Sequence, residues 1–452
     1  MAEPADREQA EDRLKRLYTA LGSGTLMQVR KMLNDLHPAE IADLLESLPL
    51  DQREIVWEMV DEAQRGDVLT HVHDEARAHL IQQMETHQLV AAAERLDADD
   101  LADILQDLPA VVMREVLAAM DEQDRKRLQA VLPYPEDTAG GLMNVDTITV
   151  RANVSLDTVL RYLRRRGKLP EMTDNLMVVN RDNRYQGLLS ITDLVTKEPD
   201  LTVAETMVRD IEGIPATMAA RDVARLFEDR DLVSAPVVDE EGRLLGRVTI
   251  DDVVDVIRDE ADHSVLSMAG LSEEADMFAP VTVSARRRAI WLGINLVTAF
   301  IAAWVIGLFE ATIQRVVALA VLMPIVASMG GIAGTQTLTL MVRGMALGQV
   351  GDANARWLLL RELAVSALNG VLWASVVAAI AVAWFDDIRL GIIIGIAIMV
   401  NLAAAALSGA TLPLLLKKLG IDPAIAGGVV LTTVTDVIGF FAFLGLATVF
   451  VR

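Results

Sequence analysis

The sequence has no cysteine, which excludes disulfides and thiolate metal sites and agrees with a reducing compartment. No apolar leader opens it: Met1 to Arg16 is charged and helix-prone, so no cleaved signal peptide is expected. No His-x-x-x-His pair and no nucleophile elbow appear, and the chain does not read as an enzyme. Basic residues are in deficit, 41 Lys+Arg against 64 Asp+Glu, for a formal net charge of −23. The deficit is uneven. Residues 1–285 hold 57 acids and 30 bases, whereas residues 286–452 hold 7 and 11. A solvated acidic body followed by a membrane region is implied. That body would repel the phosphates of nucleic acid and suits cations.

What the second region has is length in apolar residues. Five runs, Ala289–Phe309, Val316–Met341, Leu363–Trp384, Leu390–Leu416 and Ala424–Val451, are each long enough to cross a bilayer. Arg286, Arg287, Arg288, Arg343, Arg356, Arg361, Lys417 and Lys418 fall on one side, and Glu310, Asp386 and Asp387 on the other. The positive-inside rule then predicts a plasma-membrane protein with a cytoplasmic N-terminus and an extracytoplasmic C-terminus.

Acids are absent from these runs except for Asp436, near the middle of the last. Thr432, Thr433 and Thr435 cluster oxygen atoms beside it, and Gly428 and Gly439 allow close approach of another backbone. A carboxyl at that depth faces either a wet, cation-bearing path or a neighbouring helix to which it is hydrogen-bonded in its protonated form. The second run holds Pro324, Gly330, Gly331 and Gly334 with Thr335, Gln336 and Thr337. It reads as backbone weakened around a cavity, or as a kinked helix packed through small residues. Asn401 and Ser408 in the fourth run read as interhelical hydrogen bonds.

Residues from about 7 to 132 read as short helices. The phrase His37 to Pro49 recurs as Asp97 to Pro109 and, more loosely, as Asp121 to Pro133, each ending where proline stops a helix. Such repetition predicts a small superhelical domain. His71, His73 and His79 do not share one helical face, so solvated or capping histidines are expected rather than a metal site. From about 138 two segments, Val178–Val195 and Val237–Val254, align at an offset of 59 residues, each a strand, tight turn, strand and N-capped helix. This pair resembles tandem CBS domains. Its phrase appears as Gly187, Ser190, Asp193 and as Gly246, Thr249, Asp252. The resemblance implies an adenine nucleotide such as ATP, with Ser190 and Asp193 as its contacts; an empty structural cleft is the other reading. Asp251, Asp252, Asp255, Asp259, Glu260 and Asp262 follow, a solvated face unless a divalent cation relieves their repulsion.

Taken together, the order of parts resembles the MgtE family of magnesium transporters over nearly the whole chain. The phrases Glu136–Met143, Leu419–Ala424 and Thr435–Gly439 carry the likeness most specifically. The resemblance implies a multidomain fold: an all-α superhelical N-domain (1–132), an α/β tandem CBS pair (133–260), a connecting plug helix (261–287) and an α-helical membrane domain of five transmembrane helices (288–452). It implies a homodimeric, Mg²⁺-selective channel set in membrane lipid. Asp436 is its pore acid, supported by Thr432, Thr435, Gly330, Gly331 and Gly334, with spans two and five of both subunits forming the pore. Regulatory Mg²⁺ is expected at Asp99, Asp103, Asp231, Asp252, Asp255, Glu260 and Asp422. The chain departs from the family's acids at Ala219, Arg221, His263 and Ser264, and from its usual Asn and Pro at Ile332 and Val429. The alternatives are a membrane-anchored, nucleotide-responsive CBS regulator, or a carrier of Mn²⁺, Co²⁺ or Zn²⁺. Hard oxygen ligands favour Mg²⁺.

Overall fold

The computed structural model describes residues 15, 17, 19–20, 26–93, 96, 98–106, 108, 110–170, 172–271, 276–351 and 353–450. The chain divides into two compact units, residues 1–261 with 274–280, and residues 262–273 with 281–452.

The first unit opens with short helices, among them Pro38–Glu46, Leu50–Met59, Asp74–Gln82, Ala98–Gln106 and Glu122–Val131. Local chemistry sets their ends. His37 N–H donates to Glu40 Oε2 (2.9 Å) while His37 Nδ1 accepts from Ala39 N–H (3.3 Å), so the first turn is closed from both directions. Pro38 starts that helix without needing an N–H, and Pro49 forces the chain out before Leu50 starts the next. Ile41, Leu45, Leu48, Val56, Trp57, Leu69, Leu80 and Leu105 fill the interior. The three copies of the repeated phrase become the helices Pro38–Glu46, Ala98–Gln106 and Glu122–Val131. Of the three histidines, His73 sits at the N-cap of Asp74–Gln82 with Nδ1 at 2.7 Å from Glu46, and His79 Nε2 lies 3.1 Å from Glu54. The hydrogen bond to Glu46 raises the pKa of His73. Burial works against Glu46, yet the hydrogen bonds from His73 hold it below the ordinary range.

Among the described residues the 59-residue repeat forms two three-stranded sheets, β1 (Thr149–Val150), β2 (Asn175–Val179) and β3 (Tyr185–Ser190), then β4 (Ile214–Pro215), β5 (Ser234–Val238) and β6 (Leu244–Thr249). In each the first pairing is parallel and the second antiparallel. The register slips at Val178/Val179 and again at Val237/Val238, so the repeat extends to the irregularity of the ladder. The glycine of each phrase has a packing reason. A Cβ on Gly187 would sit 2.5 Å from Val208 O, and one on Gly246 would sit 2.7 Å from Asn144 O, where further backbone segments bridge the strands.

The helix Ile250–Ser267 follows, and the division between units falls within it, after Ala261. In the second unit, five described helices are long and apolar enough to span: Val281–Gly307, Ala318–Ala346, Ala355–Phe385, Ile388–Lys418 and Pro423–Phe450. They are called the first to fifth spans. The fourth is the most enclosed, burying Ile394, Ala397, Ile398, Asn401, Ala405 and Gly409, among others. Two expectations change here. The second span is one continuous helix from Ala318 to Ala346 rather than a broken one. Pro324 lies near its start and is exposed, and Gly330 and Gly334 are closed upon by neighbouring helices, so the helix runs on through the glycine-rich stretch. The third span starts at Ala355, not Leu363, and so carries Arg361 and Glu362 into the bundle.

Candidate ion site

Asp436 stands mid-way along the fifth span, half-buried. It lines a wide-mouthed recess of about 460 Å³ with Thr432 of the same helix and Ala327, Ser328, Gly331, Ile332, Thr335 and Gln336 of the second span. The helical repeat explains the set. Residues 432 and 436 are one turn apart, as are 327, 328, 331, 332, 335 and 336 in successive pairs, so one stripe of each helix faces the other. Thr432 Oγ1 donates to Gly428 O (2.9 Å) and Thr335 Oγ1 to Gly331 O (2.9 Å), which turns each hydroxyl's lone pairs outward. The recess therefore gathers hydroxyl, amide and carboxylate oxygens, the ligands of a hard cation, with neither His nor Cys among its lining.

The expected supporting residues separate. Thr432 and Gly331 share the recess with Asp436. Thr435 is fully buried and donates to Leu431 O (3.1 Å) and Thr432 O (3.0 Å) of its own helix. Gly330 and Gly334 face inward: an added Cβ would fall 2.1 Å from Asn401 Nδ2 at the first and 3.0 Å from Leu431 at the second. Asn401 of the fourth span is wholly buried, and its Nδ2 donates to Val326 O at 2.8 Å, the interhelical bond its sequence position suggests.

A second acid was passed over because it lies one residue outside an apolar run. Glu362 is 8% exposed; its Oε2 accepts from Thr337 Oγ1 (3.3 Å) and its Oε1 from Arg361 (2.7 Å). The signal was present in the sequence as Arg361-Glu362 before Leu363, a pair that carries its own counter-charge.

The acids assigned to regulation occupy varied settings. Asp103 and Asp252 are half-buried in the first unit. Burial, with Glu136 and Asp100 nearby, pushes Asp103 up to about 8. Burial, with Asp251 and Asp100 nearby, does the same to Asp252, also to about 8, although Thr249 Oγ1 donates to it at 3.0 Å. Asp255 and Asp259 lie at exposed positions of the helix Ile250–Ser267; partial desolvation raises both, helped by Asp251 at the first and by Asp255 and Asp74 at the second. Asp99 falls on the helix Ala98–Gln106, and its side chain lies outside the described residues, as does that of Ser264. Asp231 is exposed and ends the helix Ala220–Arg230 in a left-handed conformation (φ 51°), and Glu260 is exposed. Among the described residues no three His, Asp or Glu converge closely enough to ligate a metal. Asp422 is occupied by protein donors: Oδ1 accepts from Ala424 N–H (2.8 Å), and Oδ2 lies 2.8 Å from His263 Nε2. Ser190 accepts from Thr192 N–H (3.1 Å), and Asp193 pairs with Lys197 at 3.3 Å.

Comparison with known proteins follows the same division. A family described as "MgtE intracellular N domain" matches residues 36–137, "CBS domain" matches 139–200 and 203–259, and "Divalent cation transporter" matches 323–446. "Magnesium transporter MgtE" of Thermus thermophilus is 32% identical over 438 residues, 95% of this chain and 97% of its own length. The chain belongs to the MgtE family. The Bacillus subtilis member, also "Magnesium transporter MgtE", is 27% identical over 98% of each chain. A solved structure described as the cytosolic domain of the Mg²⁺ channel MgtE in complex with ATP shares 35% identity over 54% of this chain and 99% of that one, with a TM-score of 0.49. Tandem CBS domains and a multi-pass membrane region are thus common to this chain and the MgtE family.

Proposed function

We propose that the chain is a Mg²⁺ uptake channel of the plasma membrane, oriented with its acidic unit in the cytoplasm. The observation that carries this reading is the recess holding Asp436 between the second and fifth spans. Mg²⁺ sheds water reluctantly and is held by one or two carboxylates through retained waters, and a wide-mouthed recess has room for such a hydrated ion. A single carboxylate leaves the ion's second charge unmatched. A second copy of the chain, placing its own Asp436 across a two-fold axis, would supply the balance and close the open side of the recess. The hard oxygen donors of the lining argue against Zn²⁺, which favours imidazole and thiolate, while Mn²⁺ accepts the same donors as Mg²⁺ and is the competitor to include in the flux measurement.

The test is flux through proteoliposomes and growth rescue of an uptake-deficient bacterium. Asp436→Asn should abolish Mg²⁺ uptake while leaving the purified assembly folded and of unchanged size. Normal uptake by that variant would overturn the assignment.

Feedback by cytosolic Mg²⁺ is the finer part of the reading. Asp103, Asp252 and Asp255, with Asp99, Asp231 and Glu260, are the residues that would hold a regulatory ion. Its support is that burial, and then neighbouring acids, disfavour the charged forms of Asp103 and Asp252, a cost that a bound divalent cation would relieve. Asp422 has a different part in this scheme, because its oxygens are taken by His263 and Ala424. We place the adenine nucleotide at the CBS turn of Ser190 and Asp193, where Asp193 exchanges Lys197 for a ribose. Calorimetric titration with ATP of the native chain and of Asp193→Ala tests this; equal binding would remove Asp193 from the site.

A further inference from the structure

Arg53, on the helix Leu50–Met59, is fully buried. A guanidinium withdrawn from water is costly unless its donors are met. Two carbonyls of the chain just before it meet part of the need: Nε donates to Leu45 O (2.9 Å) and Nη2 to Leu48 O (3.3 Å). The rest of the fork turns to a residue far along the chain. Nη1 donates to Asp276 Oδ2 at 2.6 Å and Nη2 to Asp276 Oδ1 at 3.1 Å, a two-point pair whose carboxylate is 7% exposed. Asp276 is itself tied down. Its N–H donates to Glu75 Oε2 (2.7 Å), and its Oδ1 accepts from Phe278 N–H (2.8 Å).

Asp276 is no part of the helical domain by sequence. It lies five residues before Val281, where the first span begins, yet residues 274–280 group with residues 1–261 and not with the spans. Here losing Asp276 would leave a buried charge without its counter-ion, so residues 276–280 are held on the helical domain.

We propose that Arg53 and Asp276 form a metal-independent clamp through which the helical domain pulls on the first span. This rests on the reading that the acidic unit moves with cytosolic Mg²⁺. The clamp adds a route to the membrane separate from the helix Ile250–Ser267. Arg53 is a positioning residue in it: its own positive charge repels a metal ion, and it acts through Asp276.

The native chain has no cysteine, so introduced thiols are unique labels. Ile55→Cys and Met277→Cys, both at exposed positions, carry spin labels in the full-length protein diluted with unlabelled chain. One narrow short distance is expected. Asp276→Ala should broaden it, Asp276→Glu should restore most of it, and Glu75→Gln, at a half-buried position, should give an intermediate width. A distribution unchanged by Asp276→Ala would overturn the clamp. In proteoliposomes the same variant should require more cytosolic Mg²⁺ to slow uptake, with uptake at low Mg²⁺ unchanged. A broadened distance with an unaltered Mg²⁺ response would overturn the coupling while leaving the contact. If the unsubstituted protein shows no slowing by Mg²⁺, the feedback reading fails instead, and the distance measurement still decides the clamp.

Discussion

A methyl group added at Gly330 would come within 2.1 Å of Asn401 Nδ2, whereas one added at Gly331 would meet nothing within 4 Å. Adjacent glycines of one helix thus do different work. Gly330 lets Asn401 reach Val326 O, which holds the second and fourth spans together. Gly331 keeps the recess around Asp436 wide. Gly330→Ala is expected to destabilise the membrane unit by about 1–3 kcal/mol, the usual cost of overpacking a filled site. Gly331→Ala should leave stability near that of the native chain and slow Mg²⁺ uptake. Thermal melting in detergent beside flux measurements separates the two; equal losses of stability would contradict this division of roles. At the same scale, Glu362→Gln should not mimic Asp436→Asn, because Glu362 already has Arg361 and Thr337 as partners. Its expected defect is lower stability with uptake per folded molecule retained. A fully folded but inactive Glu362→Gln would make it a second ion ligand.

Among the elements, the second and fifth spans matter most because their facing stripes make the recess, and the fourth because it backs both. The join between the helix Ile250–Ser267 and the fifth span is a smaller case. His263 reaches Asp422, and Asp422 caps the first turn of that span through Ala424 N–H. An acid at this place would ask for a cation between two carboxylates; histidine removes the need. His263→Glu should therefore create Mg²⁺ dependence at this join, seen as protection of the segment around residue 271 from protease on adding Mg²⁺. No gain in protection would mean that the pair carries no such substitution.

For the molecule as a whole, the acidic unit should respond to protons and to Mg²⁺ in the same sense. Asp103 and Asp252 have their pKa pushed up to about 8, well above the unfolded value, so the folded unit binds these protons more tightly than the unfolded chain does. Their contribution favours folding fully at low pH and is lost as pH rises through about 8. Without Mg²⁺ the melting temperature of this unit should fall as pH rises from about 4 to about 8 and level off above that, and added Mg²⁺ should recover it with release of protons. Calorimetry in buffers of different ionisation enthalpy reads that release. A flat pH profile and no proton release would remove these acids from the sensor.

The chain's own order determined the architecture. Apolar length, the count of acids by region, the 59-residue offset and the Leu-Pro stops are local or periodic properties, and backbone hydrogen bonding and hydrophobic burial act on them without needing distant partners. Asp436 was legible for the same reason, as the one charge in a long apolar run. The tertiary structure alone decided which oxygens and glycines share a face with it. Thr432 does and Thr435 does not, Gly331 does and Gly330 does not, though each pair has near-identical surroundings in sequence. A helix turns about 100° per residue, so neighbours in sequence look in different directions, and only the packing of the fourth span fixes which direction is inward. The Arg53–Asp276 clamp and the Glu362–Thr337 contact join residues whose separation no local pattern encodes. Their partners were chosen by burial, which makes an unpaired charge too costly to leave unmet.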